Sequence, residues 1–138
     1  MTREEFVSIP QAEKRIRTLK RSISALRSLA TSLSAPIGGD RVQATGSNDR
    51  TGRLVAEIAD AETEMEREIQ RLTVLRIEAI RMIRTLQEPD QSVMFLRYIA
   101  GKTWESVAEQ AEYEIRYTYK IGKRGLNTLF PKLDIKRQ

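Results

Sequence analysis

The side chains best equipped for chemistry are gathered in one short run, IRYTYKIGKRG, at positions 115–125. Arg116, Lys120, Lys123 and Arg124 offer guanidinium and ammonium donors, and Tyr117 and Tyr119 set aromatic rings among them. Such groups bind phosphate and read base edges in a nucleic-acid groove. At helical spacing Arg116, Tyr119, Lys120 and Lys123 share one face. Thr118, Ile121, Gly122, Gly125, Leu126 and Leu129 form the opposite, buried stripe. Arg116 and Lys120 are the leading candidates for contacts, with Arg116 suited to bidentate bonding to guanine. Lys123 and Arg124 suit phosphate contacts, which position a protein without specifying sequence. Tyr117 and Tyr119 can stack or touch phosphate. Charge alone favours an ordinary solvated face on a three-helix domain; charge combined with the turn that precedes this helix reverses that and favours duplex DNA.

Other chemistries are poorly supplied. The chain has neither cysteine nor histidine, so disulfides, thiolate metal sites and the commonest general base are all excluded. Carboxylates, lysines and tyrosines do not cluster into a catalytic arrangement. No enzyme activity, metal or cofactor is expected. A formal net charge of +5 over 138 residues favours a polyanionic partner. No apolar run of about 20 residues and no signal peptide is present, so the expectation is a cytoplasmic protein that neither enters a membrane nor is secreted.

The elements that must position the basic run are short and sharply punctuated. Pro89 can open a helix whose apolar face is Val93, Met94, Leu96 and Ile99, stopping at Gly101. Thr103 is the expected N-cap of a second helix, Trp104 to Gln110 or Ala111, with Glu105 in its first turn. A break at Glu112, Tyr113 and Glu114 precedes a third helix from Ile115 to Leu129. Two short helices joined by a few-residue turn, the second of them basic, make the helix-turn-helix pattern. Trp104 is read as packing rather than base contact, and Tyr113 as packed under the turn. Gly122 and Gly125 let the third helix approach its neighbours closely, each weakening it by roughly 1 kcal/mol relative to Ala.

Upstream the chain reads as helical arms. Residues 1–8 are polar and expected to fray, with Phe6 as a possible anchor. Ile9, Ile16, Leu19, Ile23, Leu26, Ala30 and Leu33 mark one seam of a helix from Pro10 to Ser34. Its other faces carry Lys14, Arg15, Arg17, Lys20, Arg21 and Arg27, read as a solvated or partner-helix face in preference to a second nucleic-acid surface. A flexible loop is expected at about 35–50, where Pro, Gly, Ser, Asn and Asp accumulate. A long helix follows from about Thr51 to Gln87, roughly 50 Å at 1.5 Å per residue. Its seam is Leu54, Ile58, Ala61, Met65, Ile69, Leu72, Leu75 or Arg76, Ala79, Ile83 and Leu86. Glu57, Asp60, Glu62, Glu64, Glu66 and Glu68 lie where an antiparallel partner would bring the basic face of the first helix. The apolar surplus of Val74, Leu75, Ile77, Ile80, Met82 and Ile83 calls for further cover, either by the C-terminal helices or by a second protomer. The fold expected is therefore all-α: a coiled-coil-like antiparallel helical hairpin over residues 1–88, then a helix-turn-helix over 89–138. A homodimer is expected.

Residues Leu96 to Leu129 resemble the helix-turn-helix of sigma-70 region 4. The stretch LRYIAGKTWESVAEQAEYEIRYTYKIGKRGL is similar, more closely, to the C-terminal signature of small phage and prophage proteins akin to the ArpU and RinA-type late transcription regulators. The resemblance implies a transcription regulator that binds double-stranded DNA and contacts RNA polymerase. It implies core roles for Trp104, Val107, Ala108 and Ile121, and DNA-facing roles for Arg116, Tyr119, Lys120 and Lys123. The chain departs from that signature at Glu114, where a hydroxyl is usual, at Gly122, where histidine is common, and at Gly125, where alanine is common. Two other readings remain open: a DNA-packaging adaptor of the small-terminase kind, and a protein-binding module that docks on RNA polymerase.

Overall fold

A computed structural model of the chain describes residues 1–34 and 45–132, and these are helical with no strand among them. The helices are α1 (Arg3–Val7), α2 (Ile9–Ser34), α3 (Thr45–Ile83), α4 (Asp90–Met94), α5 (Trp104–Ala111) and α6 (Ile115–Leu129). A π-helical turn, Phe95–Ile99, continues α4. The all-α class and the bounds of α5 and α6 agree with the sequence reading. Four expectations need correction.

The N-terminus is not frayed. Thr2 caps α1 by accepting from the Glu5 amide at 3.1 Å, and Glu5 returns a bond to the Thr2 amide at 2.8 Å. This capping box satisfies two of the orphan donors at the helix start. It also holds the Glu5 carboxyl below its ordinary range, chiefly through that backbone bond. The long helix starts at Thr45 rather than Thr51. The residues there are weak helix formers, but extending an existing helix gains one hydrogen bond per residue, whereas starting one costs far more. The rest of the expected loop, 35–44, lies outside the described residues. At its other end α3 stops at Ile83, short of Gln87. Gln91 donates its side-chain amide to the Leu86 carbonyl (2.9 Å) and the Arg84 carbonyl (3.3 Å), and Thr85 Oγ1 donates to Met82 (2.6 Å). The Thr85 and Leu86 amides close on the Met82 and Ile83 carbonyls at 3.1 and 2.9 Å, so the helix ends in a tighter turn whose following carbonyls Gln91 satisfies. Finally, regular α4 gives way at Phe95 to the wider π-turn, in which the Ala100 amide reaches back to Phe95 at 3.0 Å.

Contacts divide the chain into two compact units, Lys14–Gln70 and Met1–Glu13 with Arg71–Gln138. The divisions fall inside α2 and α3. In the first unit Ile16 and Ile23 are buried, while Leu19, Leu26, Leu54, Ile58, Met65 and Ile69 are only partly covered. Leu33, expected on the seam, is exposed. Arg15 pairs with Glu68 at 3.3 Å and Arg27 pairs with Glu62.

The second unit holds the main core. Val93, Val107 and Ile121, from α4, α5 and α6, meet at its centre with Leu96 and Trp104 against them. Leu72, Leu75, Ala79 and Ile83 bury the C-terminal part of the α3 seam, with Leu86 buried just beyond it, leaving Val74 and Ile77 exposed. Phe6 is wholly buried, its ring 5.0 Å from Tyr98 and 5.5 Å from Phe130. Tyr98 in turn lies edge-on to Trp104 at 6.3 Å. A five-residue helix has no stability of its own; the buried ring is what holds α1 in place. Glu13 pairs with Arg76 at 2.9 Å, closing the base of this unit.

Phe6→Ala removes a fully enclosed ring and is expected to cost about 3–5 kcal/mol in denaturant unfolding. A loss below 1 kcal/mol would mean that α1 is not part of the cooperative core. Burial pushes the Tyr98 hydroxyl above its ordinary pKa, against a smaller opposing pull from Arg97. The fold therefore favours neutral Tyr98, and the stability this brings is present below pH 10 or so and lost as pH rises beyond it. Tyr98→Phe should flatten the alkaline fall in stability relative to the native chain, read as Tm across that range.

Candidate nucleic-acid interface

The exposed face of α6 depends on how tightly its other face is held. Thr118, Ile121, Gly122, Gly125 and Leu126 are buried, as the spacing predicts, and Leu129 is partly so. A Cβ built on Gly122 would overlap the Trp104 ring edge, with Cζ3 at 2.9 Å. One on Gly125 would sit 2.7 Å from Met94 Cγ and Sδ. Both glycines are therefore contact points, one seating α5 through Trp104 and the other seating α4 through Met94. Thr118, buried in the stripe, has its hydroxyl satisfied by the Glu114 carbonyl at 3.0 Å.

The turn ahead of α6 is set by Glu112, which adopts the left-handed conformation (φ 60°) and closes α5. The Tyr113 amide then bonds back to the Ala108 carbonyl at 3.0 Å. At the other end of α5, Thr103 caps as expected, accepting from the Ser106 amide at 3.1 Å. Glu114 holds the N-cap position of α6, yet its carboxylate makes no capping bond. The first amides of α6 thus have no side-chain acceptor from the cap residue.

All six candidate residues are exposed, but their settings differ. Arg116, Lys120 and Lys123 form the middle of the free face, at intervals of four and three. Asn127, four residues further on and also exposed, continues the row. Sequence reading omitted it, although its spacing from Lys123 was the available signal. The two tyrosines flank the row. Tyr119 rests against Trp104 (centroids 5.4 Å) and Tyr117 meets Tyr113 edge-on (5.1 Å), so one face of each ring is occupied. Tyr119 is 47% exposed and Tyr117 43%, which leaves both available for stacking or phosphate.

Arg124 is differently placed from the free phosphate contact anticipated for it. Its Nε lies 3.1 and 3.2 Å from the two oxygens of Asp90, and its Nη2 is 2.5 Å from Asp90 Oδ1. This bidentate pair ties α6 to α4 and raises the Arg124 pKa further, mainly through the hydrogen bonds to Asp90. The Asp90 carboxylate is nearly buried, whereas half of the Arg124 side chain stays in solvent. The positive charge of Arg124 is largely compensated within the fold.

The basic row has an acidic neighbour. Glu105 and Glu109 on α5, with Glu112 and Glu114 in the turn, are all exposed. A phosphate approaching those carboxylates is repelled, whereas the row on α6 attracts one. Arg97 contributes structurally: its guanidinium lies 5.0 Å above the Trp104 ring and donates to the Lys102 carbonyl at 3.0 Å. No group of acidic residues among the described positions is arranged to hold a metal ion. No described helix is long and apolar enough to cross a membrane.

The two kinds of glycine in the chain give opposite expectations. Gly122→Ala gains about 1 kcal/mol of helix propensity and loses about 1–3 kcal/mol to overpacking against a rigid indole, so a lower Tm is expected. Gly52, inside α3, has nothing within 4 Å of a built Cβ. Gly52→Ala should raise Tm, and thermal unfolding of the two variants side by side checks both signs.

No known protein family, curated protein or solved structure matches this chain.

Proposed function

We propose that this protein is a duplex-DNA-binding transcription regulator of phage or prophage type. In this reading α5, the Glu112–Glu114 turn and α6 are a helix-turn-helix, and α6 is the recognition helix that enters the major groove. The observation that carries it is the row Arg116, Lys120, Lys123 and Asn127, exposed on a helix whose opposite face is locked through Gly122 and Gly125. A rigid helix with one polar, basic, solvent-facing edge is what groove reading requires. The likeness of residues 96–126 to late phage regulators supplies the transcriptional part of the proposal, and with it contact with RNA polymerase.

The remaining helices fit a supporting arm. Along α2 the ion-paired residues rise from Arg15 to Arg27 while their partners on α3 fall from Glu68 to Glu62, the order of an antiparallel hairpin. The exposed Val74 and Ile77 favour a homodimer, and a two-fold dimer would read a paired half-site. The acids on α5 favour a second reading, in which this face docks on a basic surface of RNA polymerase and DNA affinity is only weak and salt-sensitive. A packaging adaptor would instead assemble as a ring of many subunits, which mass measurement separates from a dimer.

Selection from a random duplex pool tests the main reading. An enriched motif is expected. Arg116→Ala should relax preference at one base pair, worth about 1–3 kcal/mol, and Lys123→Ala should weaken binding to all sequences alike. Absence of any enriched motif, with binding that vanishes at moderate salt, would leave only the non-specific phosphate attraction and favour the protein-docking reading.

A further inference from the structure

Arg3 is remote from α6 in the sequence, yet its Nη1 donates to Asn127 Oδ1 at 3.3 Å. Asn127 is the last member of the exposed row of α6. The placement is not left to one surface hydrogen bond. Arg3 opens α1, whose start is fixed by the Thr2–Glu5 capping box and whose Phe6 is enclosed between Tyr98 and Phe130. The Met1 amino group, 3.7 Å from Glu78, adds a further attachment. Phe130 follows directly on α6, so the ring that anchors α1 does so at the C-terminal end of that helix.

The partner of Arg3 matters as much as its position. A neutral amide oxygen orients a guanidinium without cancelling its charge, and Arg carries five N–H donors, most of them left over. Arg124 shows the contrast, because Asp90 takes up its fork and its charge together.

We infer that Arg3 is a phosphate-contacting residue that lengthens the basic row Arg116, Lys120 and Lys123 beyond the C-terminal end of α6. The inference rests on the DNA-binding reading of α6. Its ligand is the sugar-phosphate backbone flanking the groove that α6 enters, since a residue at that end lies about 16 Å along the helix from Arg116. A contact of this kind positions the protein and carries no base preference. The interface is thereby built from two ends of the chain, and α1 is part of it.

The test uses the untagged full chain and a fluorescent duplex of about 30 base pairs of mixed sequence, with affinity measured over a series of salt concentrations. Arg3→Gln, Arg3→Lys, Lys120→Ala and the native protein are compared after equal Tm values are verified. Arg3 is half-buried, so its replacements are compared only where the Tm check shows that they fold like the native chain. For Arg3→Gln the slope of log affinity against log salt should fall by about 1, with roughly fivefold weaker binding near physiological salt. Arg3→Lys should retain the native slope. If Arg3→Gln matches the native protein while Lys120→Ala is weakened, α6 binds DNA and the role assigned to Arg3 is overturned. If Arg3→Lys is as weak as Arg3→Gln, Arg3 acts as a clip on Asn127 and not through its charge, which also overturns it. If the native protein shows no salt-dependent binding, the DNA-binding reading and this inference fall together.

Discussion

Gly122 and Gly125 let the backbone of α6 come close enough for Trp104 and Met94 to occupy the space where side chains would otherwise project. Everything proposed for this region depends on that approach. It brings Val93, Val107 and Ile121 into one core and fixes the rotation of α6. Rotation decides which residues face water. The row Arg116, Lys120, Lys123 and Asn127 is free because the stripe on the opposite side is wedged against two bulky neighbours. The glycines weaken the helix locally, and the contacts they admit outweigh that cost.

A second constraint is aromatic. The rings of Phe130, Phe6, Tyr98, Trp104 and Tyr119 follow one another at centroid distances of 5.0 to 6.3 Å. The series runs from the N-terminal helix through the π-turn and α5 to the surface of α6. Arg97 lies over Trp104 within it. Packing of this sort is directional, because rings prefer tilted and edge-on arrangements, and it gives a small unit more rigidity than aliphatic burial alone.

Charge is sorted by the same packing. Of the basic residues on α6, Arg124 is spent internally on Asp90, while Lys120 and Lys123 stand on the open face. The acids gather on α5 and the turn, so the surface has a basic edge beside an acidic one. An arrangement of this kind limits which way a polyanion can lie along the helix.

Much of this was legible in the sequence. The helix periods of 115–129 and 104–111, the Thr103 cap and the break at Glu112 are local properties, set by side-chain spacing, hydroxyl capping and turn preference within a few residues. The exposed and buried faces of α6 follow from the same period. Tertiary structure decided what local rules cannot reach. That Arg3 touches Asn127 and that Asp90 claims Arg124 depend on contacts between distant segments, which nothing in their own neighbourhoods signals; Phe6 stood out as a possible anchor, but what it packs against did not. The bounds of α3 belong to the same class: Thr45 lies inside the helix because propagation outweighs weak propensity, and past Ile83 the chain tightens as the Thr85 and Leu86 amides close on the Met82 and Ile83 carbonyls. Periodicity assigns a residue to a face; only the packed chain determines what that face meets.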